Sequence, residues 1–346
     1  MEIKFGVFDH LDRNNLPLPE YYEARLALIE AYERAGFYSY HLAEHHQTPL
    51  GMAPSPSVFL AAVAQRTRVM RFGPMVYALP LYHPLRMIEE ICMLDQMSNG
   101  RLDIGFGRGA SPIELAYYGQ DPAKAQRNYA ESLELVLKGL TEKTLDFEGE
   151  FHRFRDVPME LEPLQKPHPP IWYGAHTPES AERAARKRLH IISLDPPDEA
   201  RLIIERYRSV RAEMPSAMPA GADAAPMMGI GRFVVLARSD DAALALARRA
   251  YARWNDSFTF LFRKHGTVLQ RFARPPDFDG VIAVGQGFAG SPATVHDAIR
   301  KQIDETGANY FVGQFAFGDL PQAETRASLD LFVNEVMPEL KRAAAR

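Results

Sequence analysis

Four side chains able to exchange protons or hold a metal fall between positions 41 and 46: His41, Glu44, His45 and His46, in the stretch SYHLAEHHQTPLG (39–51). An imidazole titrates near neutrality and can donate or accept a proton at working pH, so the cluster points to acid–base chemistry. The residues leading into it (38–43) read as a short strand, and the cluster therefore marks that strand's end. Asp9 and His10 stand at the end of the first strand candidate. Neighbouring strands lie about 4.8 Å apart, so side chains from the two ends can meet. A metal site fits less well. His41 and His45 are four residues apart, which on a strand separates them by about 13 Å, too far for one ion.

A second constellation is GFGRGASPIE (105–114). Gly105, Gly107 and Ala110 satisfy the G-x-G-x-x-A dinucleotide fingerprint. Against that reading, three strand–helix units precede it, and the acidic residue about 20 positions on, Glu131, falls inside a helix. The favoured reading is that Gly105, Gly107 and Gly109 let a flat ligand lie close to the backbone while Arg108 supplies a fixed charge for a phosphate. In GAHTPESAER (174–183), Thr177, Pro178 and Glu179 open a helix whose free N–H groups form an anion site, with Thr177 and Ser180 offering hydroxyls. The same pattern also describes an ordinary helix cap. Taken with Arg108, phosphate binding and capping stand level.

The elements that must position these groups alternate along the chain. Strand candidates at 3–8, 38–43, 70–79, 102–107, 170–175, 190–194, 231–237 and 309–318 are separated by helical stripes, several opened by Ser or Thr followed by Pro. About eight such units, with no dividing linker, predict a single-domain (β/α)8 TIM barrel over 1–346. Two insertions are expected: a β-hairpin near 144–162, with Glu148-Gly149 at its turn, and an irregular segment near 265–290. Residues 216–228 read as a flexible loop. In such barrels the loops after the strands' C-terminal ends build the active site, which is where all the constellations above fall.

Composition bounds the rest. A chain 46% hydrophobic and 24% charged has the material for a sizeable core. With a net charge of -4 and no basic run, nucleic acid is not expected as a partner. No signal peptide and no apolar stretch of about 18 residues is evident, so a membrane is not expected either. The single cysteine, Cys92, lies in an apolar helical stripe and reads as core, consistent with a reducing, cytoplasmic setting.

The segment FGPMVYALPLYHPLRMIEEICMLDQMSNGRLDIGFGRG (72–109), with EHH before it and GAHTPESAERAARK and GSPATV after it, closely resembles the bacterial luciferase-like flavin-dependent oxidoreductases. The resemblance implies a barrel binding FMN at its mouth, with reduced FMN taken from a separate NAD(P)H:flavin reductase and used with O2 to oxidise a small organic substrate, usually in a homodimer. Position by position, His45, with Glu44 beside it, matches the active-site histidine that manages protons. Arg108 matches the phosphate-binding arginine, and His176, Thr177 and Ser180 fall in the loop holding that phosphate. Met75 and Val76 match the pair lying against the flavin ring, where relatives can carry a non-prolyl cis peptide. Light-emitting relatives have cysteine where this chain has Gly107, so the glycine gives no support for luminescence and would leave room for another substrate or a closer flavin. The stretch KRLHIISLD departs from the small acidic pattern often found there. Phe258, Phe260, Phe262, Phe272, Phe278 and Phe288 suggest an apolar lid or, equally, a patch buried in a dimer. Two other readings stay open: hydride transfer with the deazaflavin F420 on the same barrel, and a flavin-binding protein without turnover.

Overall fold

A computed structural model describes residues 3–109, 111–214, 225–268 and 274–345. The strands are β1 (Lys4–Asp9), β2 (Ser39–Leu42), β3 (Arg71–Pro74), β4 (Tyr77–Ala78), β5 (Ile104–Gly107), β6 (Thr144–Glu148), β7 (Arg153–Pro158), β8 (Ile171–Gly174), β9 (His190–Ser193), β10 (Met228–Leu236), β11 (Gly287–Gly290) and β12 (Tyr310–Gln314). Parallel pairing runs β3-β2-β1-β12-β10-β9-β8-β5-β4. A parallel bridge from Phe72 to Leu102 joins β3 to the start of β5 and closes the ring. Because β3 and β4 share one stave, eight staves form the (β/α)8 barrel; β11 is a ninth strand attached only to the outer half of β10. The expected hairpin is the antiparallel pair β6–β7.

Parallel staves are covered on both faces, and the burial pattern shows it. Outward side chains such as Phe5, Tyr40, Leu42 and Phe72 pack into the main core beneath the helices. Inward ones, including Phe8, Trp172, Ile192, Tyr310 and Val312, fill the barrel itself. Cys92 is fully buried among the outer set, as its stripe predicted. Proline at the first helical positions starts Pro56–Arg66, Pro84–Met97, Pro178–Arg186 and Pro292–Thr306, where its missing N–H costs nothing. No helix among the described residues is long and apolar enough to cross a membrane.

Three expectations change. The strand read as continuous over 70–79 is broken into β3 and β4 by a cis peptide between Met75 and Val76. Of the segment expected to be irregular, Phe278–Ala283 is helical and Gly287–Gly290 is strand, while 269–273, including Phe272, lie outside the described residues. The aromatic series is not one surface. Phe258, Phe260 and Phe262 ride on the helix Asp240–Lys264, whereas Phe278 and Phe288 are buried in the interior and form neither lid nor patch. Residues 216–224 of the expected loop also lie outside the described set.

His41 belongs to the barrel interior and not to the mouth. It is fully buried, its Nε2 is 2.8 Å from the Tyr310 hydroxyl, and its ring sits edge-on to Trp172. Burial pulls its pKa down to about 4, against the opposing pull of Asp103. A histidine held neutral in the fold costs stability once the unfolded chain can protonate, so stability falls as pH drops from about 6.5 towards 4. The opposite slope comes from Asp12, whose carboxyl burial raises to about 7 despite Arg25. Its contribution is whole below about pH 4 and is lost as pH rises towards 7. Comparing wild type with His41→Gln isolates the histidine. Urea denaturation at pH 7.5 and 4.5 should show wild type losing about 2–3 kcal/mol more than the variant; an equal loss would remove His41 from the account.

Candidate active site

A cavity of about 370 Å³ opens at the C-terminal ends of the staves, within the range of roughly 300–1,000 Å³ typical of small-molecule sites. All eight residues singled out from the sequence line it: Glu44, His45, Met75, Val76, Arg108, His176, Thr177 and Ser180. Seven come from a strand end or the turn that follows, and Ser180 from the first turn of the next helix. What the sequence leaves open is how they are held.

His45 Nδ1 lies 3.2 Å from Glu114 Oε1, and the other oxygen of Glu114 accepts the backbone N–H of His46 at 3.1 Å. Glu114 therefore fixes both the ring and the turn that carries it. Its own position comes from the helix Pro112–Tyr117, whose cap Ser111 accepts the Glu114 N–H. The far side of the His45 ring stacks on His10 at 5.6 Å, so the expected meeting of the β1 and β2 ends occurs through these two rings. Asp9 takes no part. It turns outward to Arg25 and the Tyr40 hydroxyl, beneath the helix Leu18–Arg34.

Glu44 lines the cavity, but its carboxylate is engaged. It accepts from the Ala78 N–H at 3.1 Å, the Tyr82 hydroxyl at 2.9 Å and His46 Nε2 at 2.7 Å. His46 in turn accepts or donates through Nδ1 to the Tyr118 hydroxyl at 2.8 Å. Burying a carboxylate is costly unless donors surround it, and here they do. Glu44 and His46 thus lock β2 to β4.

Gly105 and Gly107 have a different use from the one their pattern suggests. A Cβ on Gly105 would fall 2.5 Å from the Pro74 carbonyl oxygen, and one on Gly107 would fall 2.3 Å from Val76 Cγ2. The missing side chains make room for the bend at Met75-Val76, and Val76 takes the space a Gly107 side chain would need, while Gly107 itself lines the cavity. Gly109 answers to its backbone, at φ +90°.

Across the cavity, Thr177 caps the helix Pro178–Arg186 through a reciprocal box. Ser180 Oγ receives the N–H groups of both His176 and Thr177 at 3.1 Å, and Thr177 Oγ1 receives that of Ser180 at 3.2 Å. Capping is thus the present work of both hydroxyls. Arg108 and Arg183 line the same region; Arg108 has no carboxylate in ion-pair distance among the described residues, and Arg183 shares its charge with Glu179. His176 Nδ1 is 2.9 Å from Asp195, which sits just past β9. Burial would raise the Asp195 carboxyl, but hydrogen bonds from His176 and Ser193, helped by Arg274, hold it below the usual range. No group of three His, Cys, Asp or Glu side chains suited to a metal occurs among the described residues.

Glu114, Asp195 and Arg274 thus join the site although the sequence motifs did not assign them roles, whereas His10 was expected there from its place at the end of the first strand. The signal for Glu114 was available: an acid three residues into a helix directly after a strand end, at the same rim as His45.

A family model described as luciferase-like monooxygenase matches residues 3–310. Over 324 residues the chain is 41% identical to uncharacterized protein y4wF of Sinorhizobium fredii (strain NBRC 101917 / NGR234), covering 92% of each. Over 193 residues it is 31% identical to the oxygenase component of a flavin-dependent trigonelline monooxygenase from Acinetobacter baylyi, covering 55% of this chain and 53% of that one. A crystal structure of monooxygenase RslO1 from Streptomyces bottropensis superposes with a TM-score of 0.85 at 27% identity, covering 97% of this chain and 99% of that one.

The glycine account is testable by a double-mutant cycle. Gly107→Ala should destabilise the protein by about 1–3 kcal/mol in urea denaturation, because Val76 has nowhere to go. Adding Val76→Ala should recover most of that loss. Additive effects of the two substitutions would show that the strand ends do not press on one another here.

Proposed function

Because the chain belongs to the luciferase-like monooxygenase family, we propose that it binds reduced FMN in this cavity and uses O2 to oxidise a small organic molecule. The observation that carries the reading is the division of the cavity into two ends. One end holds Arg108, Arg183 and the N-terminus of the helix Pro178–Arg186; the other holds His45 braced by Glu114, with the Met75-Val76 bend in the wall between strands β3 and β4.

Tested on these residues, FMN fits. Arg108, with no carboxylate in ion-pair distance among the described residues, and Arg183, which shares its charge with Glu179, stand beside a helix N-terminus and match a phosphate, because planar guanidinium forks and aligned peptide dipoles both favour anions. Phe8, Met75, Val76 and Ile192 give an apolar surface for a ring system. The chemistry supplied by bound reduced FMN is two electrons to O2, with one oxygen atom entering the substrate and the other leaving as water.

The protein's own residues then have distinct tasks. Arg108 neutralises the phosphate and fixes the cofactor's register. His45 handles the proton, because Glu114 on Nδ1 leaves Nε2, with no hydrogen-bonding partner among the described residues, as the exchanging atom. Glu44, fully engaged, keeps the turn rigid and does not itself exchange a proton with the substrate. The apolar side chains restrict water around the reacting centre. A relative named as an oxygenase component supports a separate NAD(P)H:flavin reductase as the source of reduced FMN.

Anaerobic titration should give saturable binding of reduced FMN, and mixing with air should consume O2; preference for F420, or no flavin binding, would overturn the reading. Arg108→Ala should weaken FMN about 10- to 100-fold while leaving riboflavin, which has no phosphate, nearly unchanged. His45→Ala should retain FMN affinity within a few-fold and lower substrate oxidation by about 10²- to 10⁴-fold. A variant that oxidises substrate at the wild-type rate would remove His45 from the chemistry.

A further inference from the structure

The cavity's remaining wall, between β9, β10 and β12, has a charge balance that the cofactor does not explain. Arg274 lines it, donating to the Leu194 carbonyl at 2.8 Å, and has no carboxylate within ion-pair distance among the described residues. Arg232, 2% exposed, stands in the same region; it donates to Gln302 and to the Gly231 carbonyl, and its Nη2 has no partner. Its Nη2 is closed off from the cavity, so it acts there as a background charge. Burial, reinforced by Arg274, pulls the Arg232 pKa down to about 9. Burial likewise lowers Arg274, against the charges of Tyr251 and Asp195.

The one carboxylate near both arginines is Asp195, and it is committed to His176 and Ser193. His10 adds no negative charge. Gln314 Nε2 donates to its Nδ1 at 3.1 Å, as a neutral ring protonated on Nε2 allows. Two cations and a neutral ring thus face a single, already occupied acid. A buried cation without a counter-charge is unfavourable, and an anion brought by a ligand would restore the balance. Beside Arg274 the wall is aromatic: Trp254 and Phe258 stack at 4.9 Å, and Phe233 meets Trp254 edge-on at 4.9 Å.

We propose that this wall is the substrate's recognition site and takes an organic acid, its carboxylate held by Arg274 and its apolar body laid against the half-buried Phe258, which Trp254 backs from behind. The inference rests on the monooxygenase reading for the reaction, but concerns Arg274 and its aromatic neighbours and not Arg108 or Thr177. Arg274 decides which molecules are admitted, and Arg232 supplies a background positive charge.

The test is calorimetric titration with benzoate, 1-naphthoate and hexanoate, each against its neutral amide, on the protein both free and saturated with FMN. Wild type should prefer the acids by about 10- to 100-fold, as a charge-assisted pair implies. Arg274→Gln should abolish the preference, and Arg274→Lys, which keeps the charge, should retain part of it. Both variants should bind FMN as wild type does. Equal affinity for every acid–amide pair would overturn the proposal, as would a preference that survives Arg274→Gln. Loss of FMN together with the acids would assign Arg274 to the cofactor and overturn it equally. Absence of FMN binding in wild type would instead refute the monooxygenase reading, while the acid–amide comparison on the free protein still decides the subsite.

Discussion

The arrangement of this cavity depends on one buried carboxylate. Glu44 gathers donors from three places: the peptide of Ala78 on β4, the Tyr82 hydroxyl just beyond it, and the His46 ring two residues along its own turn. Each of these contacts is worth little against water, but a buried acceptor with its donors removed is expensive, so the set holds together or fails together. Through His46 it reaches Tyr118, and through the shared turn it fixes the backbone from which His45 projects. Glu114 then completes the restraint from the opposite side. The His45 ring is thus held in one orientation by two carboxylates that are themselves engaged in hydrogen bonds.

The same logic explains why the bend at Met75-Val76 sits where it does. β3 pairs with β2 as far as Pro74, with the Met75 N–H still donating to the Leu42 carbonyl at 2.7 Å, and β4 pairs with β5 from Tyr77, so the bend falls where one ladder gives way to the other. The side chains of Met75 and Val76 line the cavity there. The bend can press against β5 only because Gly105 and Gly107 have no side chains. A change on any one of β2, β4 or β5 therefore propagates to the wall on which the flavin ring is proposed to rest.

How much of this was legible in the sequence follows from the range of each interaction. The barrel was, because it rests on alternation and helix-start signals that are local. The eight site residues were placed around one mouth because each lies at or just past a strand end, and strand ends share that mouth by topology. Contacts between distant segments were not legible. Glu114 is 69 positions from His45, and Asp195 is 19 from His176, and no local pattern ties either pair. Gly107 shows a subtler limit: a glycine announces that something is close, not whether it is a ligand or the neighbouring strand. The stretch around Phe258 to Phe288 was legible only as aromatic, since its division between a helix face, the interior and a strand is decided by packing.

The distribution of charge around the cavity gives the last step. Among the described lining residues the arginines fall in two groups, Arg108 with Arg183 near the helix cap and Arg274 with Arg232 near β10, while the carboxylates of Glu44, in the lining, and Glu114, behind it, are bonded to His46 and His45. Two such groups suit ligands that carry separate negative charges: the proposed cofactor phosphate at one and the proposed acidic substrate at the other. Negative charge beside the histidines would oppose the approach of electron-rich groups, but both acids are spent in hydrogen bonds to the fold. What remains there for chemistry is a single oriented imidazole in a largely apolar wall, and such a site favours a reaction whose anionic parts are anchored far from the atom that changes.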